Sequence, residues 1–225
     1  MEAKYSKFLT ILLIVIVTGI VGLLGYMGYD YFKGNKDEKE AKEYVQAFAN
    51  SINDDNTTSD NQEGQGGTTV DNNDIVIDEV NGNGTKKKKK TYKGFPVSGT
   101  IEIPKTGLSC PILEKPTRKA LETSVATLWP KDAVLNSKGN VVIVGHNYRN
   151  GKFFSNNKKL SNGDKVYITD LDGKKITYII YKTFEAAEDD TSFYNRDTNG
   201  AREITLSTCT DDSKARTIVL AKEAN

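Results

Sequence analysis

A long uncharged apolar stretch near the N-terminus restricts this chain more than any other feature. No Asp, Glu, Lys or Arg occurs from Phe8 to Tyr29. A helix of that length reaches about 33 Å, which is enough to cross a hydrocarbon core of roughly 30 Å. We therefore predict a transmembrane anchor at residues 8–29, preceded by a cytoplasmic N-terminus at residues 1–7.

A cleaved signal peptide is the alternative interpretation of this stretch. Such a peptide usually has an apolar core of about 7–15 residues, followed by a small-residue cleavage site. Here the core is longer, and the run from Tyr26 to Tyr29 does not match such a site, which favours a retained single-pass anchor. Lys4 and Lys7 precede the stretch, so we expect the N-terminus inside the cell membrane and the remaining chain outside.

Two segments of different character follow the anchor. Residues 30–52 are charged, with apolar side chains at helical spacing, and we predict a helical stalk that continues the membrane helix outward or lies against the bilayer. Residues 53–93 are rich in Asn, Asp, Gly and Thr. Such a composition buries too little apolar area to offset its ordering entropy, so we predict a disordered polar linker. The run Lys86–Lys90 near its end is either a solvated charge run or an attachment to anionic lipid or wall polymer.

Short strand patterns separated by turn signals begin near Gly94 and continue to the C-terminus. They fall at residues 97–103, 110–113, 140–144, 165–169, 174–183, 203–208 and 217–222. With one helical pattern at Thr117–Ser124, they favour a mostly β domain of roughly eight short strands, a barrel or sandwich with one or two short helices. We assign residues 94–225 to this domain.

Composition excludes several function classes. The net charge is +1, and no basic patch is interleaved with aromatics, so we expect no nucleic-acid partner. Two cysteines cannot build a disulfide scaffold, and one histidine cannot supply a zinc cluster. The acidic residues at positions 185 and 188–190 are interpreted as a solvated loop rather than a calcium site. We expect no metal and no cofactor.

Three residues of the β domain are candidates for chemistry. His146 follows the buried strand 141–144, Cys209 ends the strand 203–208, and Arg216 opens the next strand. A hairpin between those last two strands would bring Arg216 beside Cys209. A free thiol is only a few per cent thiolate at neutral pH, and an imidazole can take its proton and then protonate a leaving amine. A guanidinium can donate hydrogen bonds to the oxyanion that forms.

Each of these residues also has a purely structural alternative. A single cysteine in a strand is usually a small buried hydrophobic residue, and a disulfide between Cys110 and Cys209 is a further alternative. A single histidine is more often structural than catalytic, and an isolated arginine is most often a surface charge.

Several motifs, taken together and in order, resemble the sortase family. Residues 205–209, Thr-Leu-Ser-Thr-Cys, resemble the signature Thr-Leu-x-Thr-Cys, and Gly145-His146 after an apolar strand resembles the histidine segment. Arg216 matches the arginine of the family, and residues 97–104 resemble its first barrel strand. The likeness runs from about residue 94 to the end, and the anchor and stalk also fit.

The resemblance implies an eight-stranded sortase β-barrel outside a Gram-positive cell. Sortases cleave a sorting motif of the Leu-Pro-x-Thr-Gly type after threonine, keep the acyl group on cysteine, and pass it to an amine of a cell-wall precursor or a pilin. By this resemblance Cys209 is the nucleophile, His146 the general acid and base, and Arg216 the oxyanion or substrate binder. The neighbouring Ser207, Thr208 and Asn147 are candidates for substrate binding.

The subclass and two other functions stay open at this point. Ser207 resembles class B sortases, whereas the interval 183–199 is short for the extra helix of that class, so class B-like and class D-like enzymes are both alternatives. An exported cysteine hydrolase would use the same three residues. A stalked surface binding module would use none of them. The sorting motif, the acceptor amine and the choice between wall anchoring and pilus assembly cannot be derived from the sequence.

Overall fold

The computed structural model describes residues 2–55, 77–80 and 86–224. They divide into two compact units, Met1–Glu40 and Ala41–Asn225. A single helix, α1, extends from Glu2 to Asp55. In the first unit, the large apolar side chains between Phe8 and Tyr29 are exposed. Among the described residues, α1 is the one helix long and apolar enough to cross a membrane.

The second unit is built on strands. In chain order they are β1 Ile77–Val80, β2 Lys86–Lys89, β3 Thr91–Tyr92, β4 Phe95–Ile103, β5 Leu108–Leu113, β6 Val125–Trp129, β7 Gly139–Val144, β8 Lys165–Asp170, β9 Lys175–Ala187, β10 Arg202–Cys209 and β11 Ala215–Glu223. A short helix, α2, spans Arg118–Thr123, and Thr117 caps its N-terminus by accepting a hydrogen bond from the Ala120 amide.

Eight of these strands close into a barrel. Their order is β4-β5-β6-β7-β10-β11-β9-β8, and β8 pairs back with β4. Closure leaves no free edge among the eight. The predicted eight-stranded β-barrel is therefore confirmed. The short β3 adds to β4, while β1 and β2 form a separate two-stranded sheet.

The pairing of β7 with β10 decides where the site lies. These two strands are parallel, with Val144 opposite Ser207, whereas β10 pairs antiparallel with β11. Parallel neighbours end at the same edge of a sheet. The segment that carries His146 therefore leaves the barrel beside Cys209, and the hairpin returns Arg216 to the same place.

Two apolar clusters occupy the two faces of the barrel wall. The first joins buried side chains from all eight strands, among them Ile101, Ile143 and Leu206, and fills the interior. The second lies on the outer face, where Val142 and Ile218 pack under Phe193 of the connection between β9 and β10. Because side chains alternate along a strand, Leu206 points inward whereas Ser207 and Cys209 point to the outer face.

The end of α1 packs against the barrel. The sequence predicts a helical stalk at residues 30–52 that continues the membrane helix outward or lies against the bilayer, and this range is part of the single helix α1. The sequence does not predict the packing of its apolar side chains: Ala41, Phe48 and Ile52 are buried in the interior cluster of the second unit. The Tyr44 ring meets the Tyr92 ring edge-on, with centroids 5.0 Å apart. The apolar stripe of this helix is therefore covered by protein.

Two further differences from the predicted elements concern strands. The strand patterns of the sequence do not include β6, whose five residues are flanked by α2 and by the loop 130–138. The range 53–93 predicted as a linker contains β1, β2 and β3. Residues 56–76 and 81–85 of that range lie outside the described residues, so for them the linker stays a prediction.

Candidate active site

Two hydrogen bonds of Gly145 fix the backbone that precedes His146. The Gly145 amide donates to the Ser207 carbonyl at 3.2 Å, and the Thr208 hydroxyl donates to the Gly145 carbonyl at 2.7 Å. A Cβ at this glycine would lie 2.8 Å from a methyl of Val125 and 2.9 Å from the ring of Phe154. Only glycine fits so close an approach, so the backbone leading to His146 is held tightly against β10.

Arg216 contacts Cys209 directly. The two residues are register partners in the hairpin of β10 and β11, and Nη1 of Arg216 donates a hydrogen bond to the cysteine Sγ. Its Nη2 donates to Oε1 of Glu188 at 2.8 Å. One guanidinium thus joins the thiol to the start of the connection between β9 and β10. The acidic residue Glu188, interpreted from sequence as part of a solvated loop, is an ion-pair partner of Arg216.

The segment that carries His146 lies next to this pair. Extending the parallel register by two residues from Val144 and Ser207 places His146 beside Cys209 on the same outer face. The imidazole packs against the ring of Tyr148, with centroids 5.1 Å apart. Within the described part of the chain it makes no hydrogen bond to the thiol.

The two cysteines differ sharply. Both are free thiols, so the disulfide alternative between them is not formed. Cys110 is buried in the interior, and burial raises the pKa of its thiol to about 12. It therefore stays protonated, whereas Cys209 is only partly buried and lies against a cation.

The three candidates for substrate binding have different surroundings. Ser207 is buried, with 6% of its surface exposed, and shares the outer face with Cys209. Thr208 points the other way and lines a cavity of about 290 Å³ with Thr217 and Glu185. Asn147 lines the same cavity, and its amide nitrogen donates to the Cys209 carbonyl at 3.0 Å and to Oδ1 of Asp211 at 2.9 Å.

An ion pair that the sequence does not predict connects the loops around the site. Lys158 forms an ion pair with Asp211 in the loop between β10 and β11. Lys158 and the Asn147 amide together hold the pKa of the Asp211 carboxyl below its usual range. Arg149 also reaches this loop and donates to the Ser213 hydroxyl at 2.8 Å. These residues are more than 50 positions apart in the chain, and no local pattern marks them as partners.

The outer face beside the thiol is apolar and is covered by the connection between β9 and β10. Val144, Ile218 and Phe193 belong to the outer apolar cluster, and Ile218 is the register partner of Ser207. The rings of Trp129 and Tyr194 lie 6.1 Å apart at its rim. A thiol in contact with a cation, next to the segment of a histidine, suits acyl transfer from a peptide carbonyl.

Comparisons with known proteins agree with this geometry. A family model described as the Sortase domain matches residues 101–224. Sortase A of Bacillus anthracis is 34% identical over 122 residues, which make up 52% of this chain and 56% of that protein. The match thus spans little more than half of that relative's length.

Solved structures give the same result for the fold. A sortase D5 transpeptidase of Clostridium perfringens is 32% identical with a TM-score of 0.52, over 57% of this chain and 79% of that one. A lid mutant of sortase A from Corynebacterium diphtheriae is 27% identical with a TM-score of 0.53, over 58% and 72%. Sortase C1 of Streptococcus agalactiae with MTSET is 26% identical with a TM-score of 0.52, over 57% and 69%.

Proposed function

Because this chain belongs to the sortase family, we propose that it is a membrane-anchored cysteine transpeptidase. It cleaves a sorting motif of the Leu-Pro-x-Thr-Gly type, or a variant, after the threonine. It then transfers the acyl group to an amine of a cell-wall precursor or a pilin. The proposed catalytic residues are Cys209, His146 and Arg216, within a catalytic domain at residues 94–225.

In the first half of the proposed reaction, Cys209 becomes acylated. Its sulfur, having given its proton to the His146 imidazole, attacks the threonine carbonyl carbon and forms a tetrahedral oxyanion. The imidazolium returns the proton to the departing glycine nitrogen as the C–N bond breaks. The products are a thioester on Cys209 and a released C-terminal fragment with a free amine.

In the second half, an incoming amine takes the place of the released one. It attacks the thioester carbonyl and loses a proton to the neutral imidazole, and the C–S bond then breaks. The sulfur leaves as the thiolate or recovers the proton from the imidazolium. The net result is the exchange of one amide bond for another, without an external energy source.

Arg216 serves both tetrahedral intermediates in this proposal. Its guanidinium stays charged at any physiological pH and carries five N–H donors in a fixed fork. Nη2 of Arg216 donates to Glu188 and Nη1 to the sulfur. The guanidinium is therefore close to the position of an oxyanion that forms on the carbon bonded to that sulfur. Donors aimed at the developing charge lower the barrier more than donors that bind the ground state.

The single observation that carries the proposal is the contact of Arg216 with Cys209 beside the segment of His146. The exposed apolar part of α1 supports attachment to a membrane. We propose a single-pass orientation with residues 1–7 inside and the barrel outside, where sorting-motif proteins are the partners. The absence of a helix between Ala187 and Arg202 supports a subclass other than one with an extra helix there.

Product analysis tests the proposal. The detergent-solubilised full chain is incubated with a library of sorting-motif peptides, with and without an added amine such as triglycine, and the products are identified by mass spectrometry. Transpeptidation predicts a new amide product that requires the amine and disappears in Cys209→Ala. Release of the peptide fragment that ends in a threonine carboxylate, at the same rate with or without the amine, would make the protein a hydrolase. No turnover of any peptide would contradict both enzymatic functions.

A further inference from the structure

We propose that Asn147 is a positioning residue that fixes the nucleophile relative to the acid and base. The inference rests on the proposed function and concerns how its three residues are held. Asn147 follows His146 in the chain and binds the backbone of Cys209 through its side chain. A displacement of the histidine segment is therefore transmitted directly to the residue that carries the sulfur.

Every polar atom of the Asn147 side chain already has a partner. One N–H donates to the Cys209 carbonyl at 3.0 Å and the other to Oδ1 of Asp211 at 2.9 Å. The side-chain oxygen accepts a hydrogen bond from the Arg149 amide at 3.0 Å. An asparagine amide has two donors and one carbonyl acceptor. With all three engaged inside the protein, the side chain suits positioning better than direct binding of a peptide.

The partners of Asn147 are themselves anchored. Asp211 is held by the ion pair with Lys158, which belongs to the 3-10 turn Asn157–Lys159. The backbone of Asn147 forms an isolated β-bridge with Phe153. The Phe154 amide donates to the His146 carbonyl. The amide therefore joins two rigid supports, the connection between β7 and β8 and the loop between β10 and β11.

The same side chain also connects the third catalytic residue. The loop from Thr210 to Ala215 links Cys209 to Arg216, and Asp211 holds the start of that loop. Through the Cys209 carbonyl, Asp211 and its own place after His146, this amide is linked to the segments that carry all three residues. A misplacement of about 1 Å between reacting groups can cost on the order of 100-fold in rate. The loss of Asn147 should therefore lower kcat and leave KM nearly unchanged, because its side-chain amide is already engaged within the protein.

Four variants separate positioning from general structural support. N147A removes all three hydrogen bonds. N150A is the matched control, because Asn150 lies in the same loop and its side chain accepts from the Lys152 amide without reaching β10. N147D keeps the shape but loses both donors and sets a carboxylate against Asp211. The exchange N147D/D211N restores a hydrogen bond between positions 147 and 211, but it loses the ion pair with Lys158 and supplies no donor to the Cys209 carbonyl.

The measurements are kcat and KM for peptide cleavage by the full chain, the midpoint of thermal unfolding, and the rate of Cys209 alkylation by iodoacetamide. We expect N147A to lower kcat about 10- to 100-fold with KM within about threefold of the wild type. N150A should match the wild type. N147D should lose at least as much activity as N147A. N147D/D211N should recover part of the thermal midpoint that N147D loses, but not kcat.

Three results would overturn the inference. They are a kcat for N147A within twofold of that for N150A, a rise in KM with unchanged kcat, and full recovery of kcat in N147D/D211N. Alkylation keeps this test separate from the proposed function, because it requires no peptide turnover. If no peptide is cleaved by any variant, the transpeptidase proposal fails. The positioning role then stands only if N147A slows Cys209 alkylation about threefold or more relative to N150A.

Discussion

Replacement of Arg216 by lysine should separate catalysis from stability. Arg216 donates one N–H to the Cys209 sulfur and another to Glu188. Lysine keeps the charge but offers a single ammonium on a flexible stem, which cannot hold the sulfur and a carboxylate in the same forked geometry. The change therefore removes directional hydrogen bonds without removing the cation.

The two expected magnitudes differ strongly. The ion pair of Arg216 with Glu188 is exposed, with 30% and 70% of the side-chain surfaces accessible. Such a pair contributes about 0–1 kcal/mol to the free energy of unfolding. Loss of one oxyanion donor typically lowers kcat by about 10²–10³, which corresponds to ~2.7–4 kcal/mol of transition-state stabilisation. R216K should therefore be nearly as stable as the wild type and at least about 100-fold slower.

The assay pairs steady-state peptide cleavage with denaturant unfolding of the same preparation. R118K is the matched control, because Arg118 also pairs with a glutamate, Glu122, at an exposed position on α2. Its kcat should equal that of the wild type. The reasoning is refuted if R216K keeps kcat within threefold of the control. It is also refuted if the free energy of unfolding drops enough to explain the loss of activity by unfolding.

Two further predictions concern the thiols and the packing of α1. At pH 8, iodoacetamide should label Cys209 but not Cys110 in the folded protein, because burial raises the pKa of Cys110 to about 12 and leaves almost no thiolate; peptide mapping that finds equal labelling would contradict this. G173A should destabilise the protein more than G94A: both glycines have φ of +81°, but only at Gly173 would a Cβ fall 2.1 Å from Cγ2 of Ile52. G94A should cost about 1–2 kcal/mol for the left-handed conformation, and G173A about 1–3 kcal/mol more for the clash. Denaturant unfolding that gives equal losses would show that α1 does not rest on this turn.

The barrel could be predicted largely from local patterns. The continuous apolar run before His146 and the Asp172-Gly173 turn correspond to β7 and to the hairpin of β8 and β9. The hairpin of β10 and β11 was expected to return Arg216 to Cys209, and the two side chains are in contact. These features depend on residues close in sequence, where periodicity and turn chemistry are strong.

Long-range pairings were harder to derive. The parallel pairing of β7 with β10 joins segments about 60 residues apart, and no local signal specifies such a partner. The burial of Phe48 against the barrel was missed for the same reason, since an amphipathic helix shows which face is apolar but not what covers it. The ties of Asn147 and Lys158 to Asp211 likewise depend on two loops meeting in space.

The most direct test is intact-mass spectrometry of the full chain after brief exposure to an intact sorting-motif peptide that the protein turns over, quenched in acid. The account predicts a mass increase equal to the peptide fragment up to threonine, located on the tryptic peptide that contains Cys209. The adduct should be absent in Cys209→Ala and should disappear when an acceptor amine is added. Peptide turnover without an adduct on Cys209, or turnover that persists in Cys209→Ala, would contradict it.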